Sequence, residues 1–244
     1  MPREIDLSSD LLLSRHGGAL DVLRTMSKMI PESDWCVVGG LMTYLVLREN
    51  SAGADARASQ TKDVDVIVEV TTGSAERVIY ELLTMGFSQL EPFFGQQEAQ
   101  ARYRMGLTLI DVLAPDDTAP ADLILGRNTV TLAAPGGRRA LEVSSPVTVY
   151  YGEEGLAEFR TPPIGHAIVV KAAAMLDHRT AEQPRHGEDV VEMLAAMEDP
   201  VASAMGMTAA DLDLLERVVP KVVSAGNSEA VAALELLASA IQQR

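Results

Sequence analysis

Thr61-Lys62-Asp63-Val64-Asp65-Val66-Ile67-Val68 sets two carboxylates one residue apart inside a strongly β-forming run. Alternation along a strand sends Asp63 and Asp65 to one face and Val64, Val66 and Val68 to the other. At roughly 3.3 Å of rise per residue the two acidic Cβ atoms stand about 6.6 Å apart, near enough for both carboxylates to reach one divalent cation. A half-exposed strand whose acids face water accounts for the octad equally well. The flanking segments decide between these readings.

Upstream, Trp35-Cys36-Val37-Val38 predicts a short buried strand that runs into Gly39-Gly40, and residues 41–48 predict a helix. A helix start preceded by two glycines offers unpaired N–H groups and lets a phosphate approach the backbone, although such a pair often only marks a turn. Residues 51–60, rich in Ala, Ser and Gly and containing Arg57, read as a loop leading into the acidic strand. Downstream, Leu107-Thr108-Leu109-Ile110-Asp111-Val112-Leu113 predicts another strand with an acid inside it. If the strands at 35–38, 63–70 and 107–113 are sheet neighbours, Asp111 sits beside Asp63 and Asp65, because opposed residues lie ~5 Å apart. The alternative for Asp111 is a structural acid bonded to Arg102 or Arg104.

The remaining pattern fills in an α/β (α+β) fold, a mixed β-sheet flanked by helices with a helical C-terminal region. A covering helix is expected over 19–30, stopped by Pro31, and another over 74–85 with Ser74 as its cap and Gly86 past its end. Segments 129–132 and 140–143 around Pro135-Gly136-Gly137 read as a hairpin with Arg138 and Arg139 at its tip, and 147–151 as an added edge. Past Pro162-Pro163, helices are expected over 167–178, 187–197, 208–219 ended by Pro220, and 228–242, with Thr208 and Asp211 forming a capping box. This predicts a sheet region over 1–160 and a helical region over 161–244 packed on it.

Composition bounds the function. A 47% hydrophobic content supports a real core, while 4% aromatics leave few platforms for stacking bases. The net charge of −15 opposes extended duplex DNA, though a local arginine cluster could hold a short RNA. A single cysteine, Cys36 in an apolar setting, excludes an internal disulfide or zinc cluster and reads as a buried thiol. Residues 1–10 lack a basic start followed by an apolar run, and no apolar run reaches the ~20 residues a bilayer requires, so a cytoplasmic protein without membrane contact is expected. The four histidines, His16, His166, His178 and His186, show no metal-ligand spacing.

Three gathered carboxylates repel one another and raise their own pKa values unless cations neutralise them. Their hard oxygens suit Mg²⁺ or Mn²⁺, and such ions can hold a nucleoside triphosphate (NTP) while its terminal pyrophosphate departs. The chemistry implied is nucleotidyl transfer. The run Val37-Val38-Gly39-Gly40 and its helix, residues 57–61, Asp63-Val64-Asp65-Val66 and Ile110-Asp111-Val112-Leu113 together resemble the polymerase-β-type nucleotidyltransferase superfamily. Lys171, Arg185 and Asp189 look like motifs of its AbiEii-type branch, which includes toxins of toxin–antitoxin and phage-defence systems. The resemblance covers about residues 30–195 and implies a nucleotidyltransferase-type sheet. It implies that Asp63, Asp65 and Asp111 bind metal and catalyse, and that Gly39, Gly40 and Lys171 hold the nucleotide's phosphates. An RNA end or protein acceptor and an antitoxin partner follow for the toxin type; a small-molecule acceptor follows for an antibiotic-modifying relative. A silent nucleotide-binding module is the reading from a different class. Lys171 borders the apolar stripe of its helix, where a lysine snorkelling to water is an equal alternative. The roles of Asp189, Arg185 and Arg57 stay open.

Overall fold

The computed structural model describes residues 3–8, 13–50, 63–91, 99–125, 129–153, 155–177 and 183–243. In chain order the first elements are β1 (Arg3–Asp6), α1 (Leu13–Met29), β2 (Trp35–Val38), α2 (Gly39–Asn50), β3 (Asp63–Val68) and α3 (Ser74–Thr84). The short strands β4 (Ser88–Gln89) and β5 (Ala99–Gln100) precede a hairpin of β6 (Arg102–Met105) and β7 (Thr108–Pro115). Next come β8 (Ile124–Leu125), β9 (Thr129–Val130), β10 (Leu132–Ala134), α4 (Gly137–Val143), β11 (Ser145–Tyr151) and β12 (Gly155–Thr161). The rest is helical: α5 (Ile164–Leu176), α6 (Gln183–Ala195), α7 (Pro200–Ser203), α8 (Ala209–Ser224) and α9 (Ser228–Gln242).

The principal sheet has the order β2-β3-β7-β6-β4, with β10 joining β7 near its end. It is mixed, because β3 runs antiparallel to β2 and parallel to β7. Period-two alternation splits the side chains between two cores. Val64, Val66 and Val68 of β3 join Ile110, Val112 and Ala114 of β7 in a core that also takes apolar residues from α1, α3, β11 and β12. On the opposite face Cys36, Val38 and Ile67 pack with residues of α5, α6, α8 and α9. Asp63 and Asp65 share parity with Ile67, so they point toward the side covered by the C-terminal helices.

Helix α2 lies between these cores and is buried on every side from Gly40 to Leu47. Leu41, Tyr44 and Leu45 enter the first core, and Met42 and Val46 enter the second. Full burial of each such side chain contributes roughly 1.5–3 kcal/mol, which fixes the helix against the sheet and thereby fixes its N-terminal end. A second sheet, β1-β11-β12, is tied to α2 by Arg3, whose guanidinium pairs with Glu49 at 2.5 Å and donates to the Thr161 carbonyl at 2.9 Å.

Several local expectations change. The segment around Pro135-Gly136-Gly137 is no hairpin: β10 pairs in parallel with β7, and Gly137 opens helix α4. Gly136 takes the left-handed conformation at φ 74°, and the Asp116 carboxylate accepts from the N–H groups of Gly136 (3.0 Å) and Arg138 (2.9 Å). That cap lies 20 residues upstream, so the local sequence carries no helix-start signal. Arg138 and Arg139 are held by partners as well. Arg138 pairs with Glu69 at 2.7 Å and Asp117 at 2.9 Å, and Arg139 pairs with Asp211 at 2.6 Å. Gly73 occupies the cap position ahead of α3, and Ser74 donates its hydroxyl to Asp34. Helix α8 continues through Pro220 to Ser224; Pro220 is exposed, so the carbonyl it leaves unpaired can turn to water. The capping box of Thr208 and Asp211 is present. Among the described residues no helix is long and apolar enough to cross a membrane.

Candidate active site

The strand registers build a row of four residues across the sheet. Val38 of β2 pairs with Asp65 of β3, Asp65 with Asp111 of β7, and Asp111 with Arg102 of β6. Adjacent strands lie about 4.8 Å apart, so two carboxylates and a guanidinium stand side by side on three consecutive strands. Asp63 lies two residues before Asp65 and pairs with Leu109. All three acids face one cleft.

Arg102 binds into this row. Its Nη2 reaches Asp63 Oδ2 at 2.6 Å, and its Nε lies 3.1 Å from Asp111 Oδ1. The second contact is one of charge only, because the Nε–H is buried and makes no hydrogen bond. A buried donor left unsatisfied costs about 1–3 kcal/mol. Asp111 is pushed up to about 7, chiefly by burial, next by the Asp65 carboxylate and to a lesser extent by Asp63, with Arg102 opposing the shift.

Gly39 is the joint between β2 and α2. Its φ is +68°, and a Cβ there would fall 1.8 Å from Asp65 Oδ2. The Asp65 carboxylate therefore rests against the first residue of α2, at the positive end of the helix dipole, and only glycine leaves it room. Gly40 lines the same cleft.

The cleft has a volume of about 690 Å³. Asp63, Asp65, Asp111, Gly39, Gly40 and Lys171, each singled out from sequence, all line it. Lys171 does not snorkel: Lys171 Nζ donates to Asp189 Oδ2 at 2.5 Å, and both side chains are buried. Arg185 of α6 lines the cleft too. The rest of the lining is largely apolar, with Leu113, Val130, Leu132 and Val170 among its residues.

In chemistry the donor set fits a hard divalent cation. Three carboxylates share one opening, and the Arg102 guanidinium already stands among them as a positive charge. In spacing it is not assembled for one. Among the described residues no three acidic, imidazole or thiol groups stand close enough together to hold a metal ion. Asp63 is held instead by Arg102.

Arg102 is the residue that the sequence reading undervalued. The signal was present in Arg102-Tyr103-Arg104, where a buried Tyr103 between two arginines marks a strand whose charged face matches that of Asp111. The apolar lining was hidden because β9, β10 and α5 contribute to it from distant positions. Arg57, Thr61, Lys62 and His178 lie outside the described residues.

No protein-family model matches the chain, and no curated protein matches it in sequence. Among solved structures, the chain is similar to an antigenic nucleotidyltransferase-like protein from Paracoccidioides brasiliensis, with a TM-score of 0.56 and 16% identity. The match covers 97% of this chain and 99% of that one. The fold is thus mixed α/β of nucleotidyltransferase-like type.

Proposed function

We propose that the chain is a metal-dependent nucleotidyltransferase that moves a nucleoside monophosphate from NTP to an acceptor hydroxyl. The observation that carries this reading is the register pairing of Asp65 with Asp111, with Asp63 facing the same cleft and the Gly39–Gly40 helix start beside them. Asp63, Asp65 and Asp111 would hold Mg²⁺ or Mn²⁺, which when bound neutralises the triphosphate and promotes attack by the acceptor oxygen. The glycine-led start of α2 offers backbone N–H groups to phosphate, and the ammonium of Lys171, paired with Asp189, lines the same cleft. Asp111, beside Asp65 in the cleft, is the carboxylate suited to take the acceptor's hydroxyl proton.

For the acceptor, the sequence resemblance favours the AbiEii toxin type, with an RNA end or a protein as target and an antitoxin as partner. An antibiotic-modifying enzyme acting on a cationic small molecule is the alternative that the charge of −15 suits. Incubation with α-labelled NTPs and Mg²⁺ or Mn²⁺, beside total cellular RNA, cellular protein and a panel of aminoglycosides and lincosamides, tests the reading. Label transferred to one acceptor and lost in Asp65→Asn supports it; no transfer to any acceptor overturns it.

A nucleotide-binding module without turnover is the second reading, favoured by the pairing of Arg102 with the acids. Calorimetric titration with NTP and Mg²⁺ separates the two: binding without pyrophosphate release across the acceptor panel supports the silent module.

A further inference from the structure

Arg102 has no task in the reaction proposed above, yet it ends the carboxylate row and its guanidinium reaches both Asp63 and Asp111. We propose that Arg102 is a displaceable counter-ion: its guanidinium takes the cation's place beside Asp63 and Asp111, and a divalent cation enters by expelling it. This rests on the metal-dependent reading of the site.

The geometry of the two contacts points to a provisional occupant. The bond to Asp63 is short at 2.6 Å, but the approach to Asp111 leaves the buried Nε–H without a hydrogen bond. A guanidinium serving as a permanent structural clamp presents its fork so that several N–H groups are satisfied at once. Here the Nε–H nearest Asp111 makes no hydrogen bond, so release gives up the bond to Asp63 but none from Nε to Asp111. The Arg102 side chain also keeps 29% of its surface exposed, which leaves it a path out of the row toward the cleft that it lines.

Charge gives the second reason. Asp63, Asp65 and Asp111 share one opening, and Asp65 and Asp111 are register partners on adjacent strands. Withdrawing the guanidinium takes a positive charge from beside Asp63 and Asp111, whereas exchange for a divalent ion keeps a cation there. The same exchange ends the 2.6 Å contact between Arg102 and Asp63.

A released guanidinium in this cleft is a bidentate partner for a polyphosphate. Nucleotide and metal then reinforce each other, because phosphate that draws Arg102 away removes the metal's competitor. Linkage makes the effect reciprocal.

The test is Mn²⁺ binding to chelator-treated protein, followed by the loss of the free-ion electron paramagnetic resonance signal, with and without a non-hydrolysable NTP analogue. Without nucleotide, Arg102→Gln should bind Mn²⁺ on the order of tenfold more tightly than the parent, since one competing positive charge is gone. The nucleotide-induced gain in Mn²⁺ affinity seen in the parent should shrink in this variant. Arg102→Lys, which keeps the charge but not the fork, should fall between the two and serves as a second, mildly altered variant. Equal Mn²⁺ affinity in parent and Arg102→Gln, with binding still abolished by Asp65→Asn, overturns the counter-ion role and leaves the metal-dependent reading standing. No Mn²⁺ binding by the parent or any variant, even with nucleotide present, overturns both.

Discussion

Asp65 and Asp111 face each other directly across two parallel strands, with Val38 flanking the first and Arg102 the second. Two carboxylates at neighbouring register positions gain nothing from each other, and a fold built only for stability would put an apolar pair there. The cost is offset locally by the guanidinium of Arg102 and by the helix start against which Asp65 rests.

Asp65→Asn keeps the size of the side chain and removes its charge. Transfer from α-labelled NTP should fall on the order of 10³-fold, with the circular dichroism spectrum and melting midpoint preserved or slightly improved. Retained transfer would show that the row is not the reacting centre.

Gly39→Ala meets two obstacles: φ is +68°, and the new methyl would lie 1.8 Å from Asp65 Oδ2. Strain at such a position costs about 1–3 kcal/mol, and the carboxylate must also move. A lower urea midpoint together with loss of transfer is expected; a stable and fully active variant would contradict the placement of Asp65 against α2.

The sequence made the Asp63–Asp65 strand, the β2–glycine–α2 unit and the Asp111 strand legible because alternation and glycine punctuation are local signals. It also placed the capping box at Thr208 and Asp211. It missed α4, whose capping carboxylate is Asp116 on a distant loop, and it ended α8 early at a proline that an exposed helix face tolerates. For the site, the acids were visible one by one, but the Asp65–Asp111–Arg102 row depends on strand order and register, which no window of sequence contains.

The buried pair of Lys171 and Asp189 gives an asymmetric stability pattern. Lys171→Ala or Asp189→Ala alone leaves an uncompensated buried charge and should cost about 3–5 kcal/mol in a urea melt. Replacing both, as Lys171→Met with Asp189→Leu, should recover most of that stability. The doubly substituted protein should still show weaker NTP binding by calorimetry, because its cleft has lost a positive charge.

Asp111 predicts a pH dependence in chelator-treated protein. Its carboxyl is raised from 3.8 to about 7, so between these values the folded protein binds a proton that the unfolded chain has released. Its contribution to stability is therefore fully present below about pH 4, declines as pH rises, and is lost above about pH 7. Asp111→Asn should flatten the plot of melting midpoint against pH over that window and exceed the parent in stability at about pH 8. An unchanged slope would show that Asp111 is ionised throughout.

Cys36 is fully buried between β2 and the C-terminal helices, and burial pushes its thiol up to about 12. Ellman's reagent at mildly alkaline pH should leave it unmodified in the native protein and titrate it in urea. Fast native labelling would mean that the second core opens readily.

The parallel pairing of β1 with β11 has a consequence for biogenesis. Arg3 meets Val147 and Asp6 meets Tyr150, so β1 waits for a partner made 144 residues later. On the ribosome β1 must stay undocked from β11 while the strands and helices between them emerge, and closure of this small sheet is a long-range event. A chain stalled before residue 145 therefore leaves β1 without its strand partner, which makes that segment a target for chaperones.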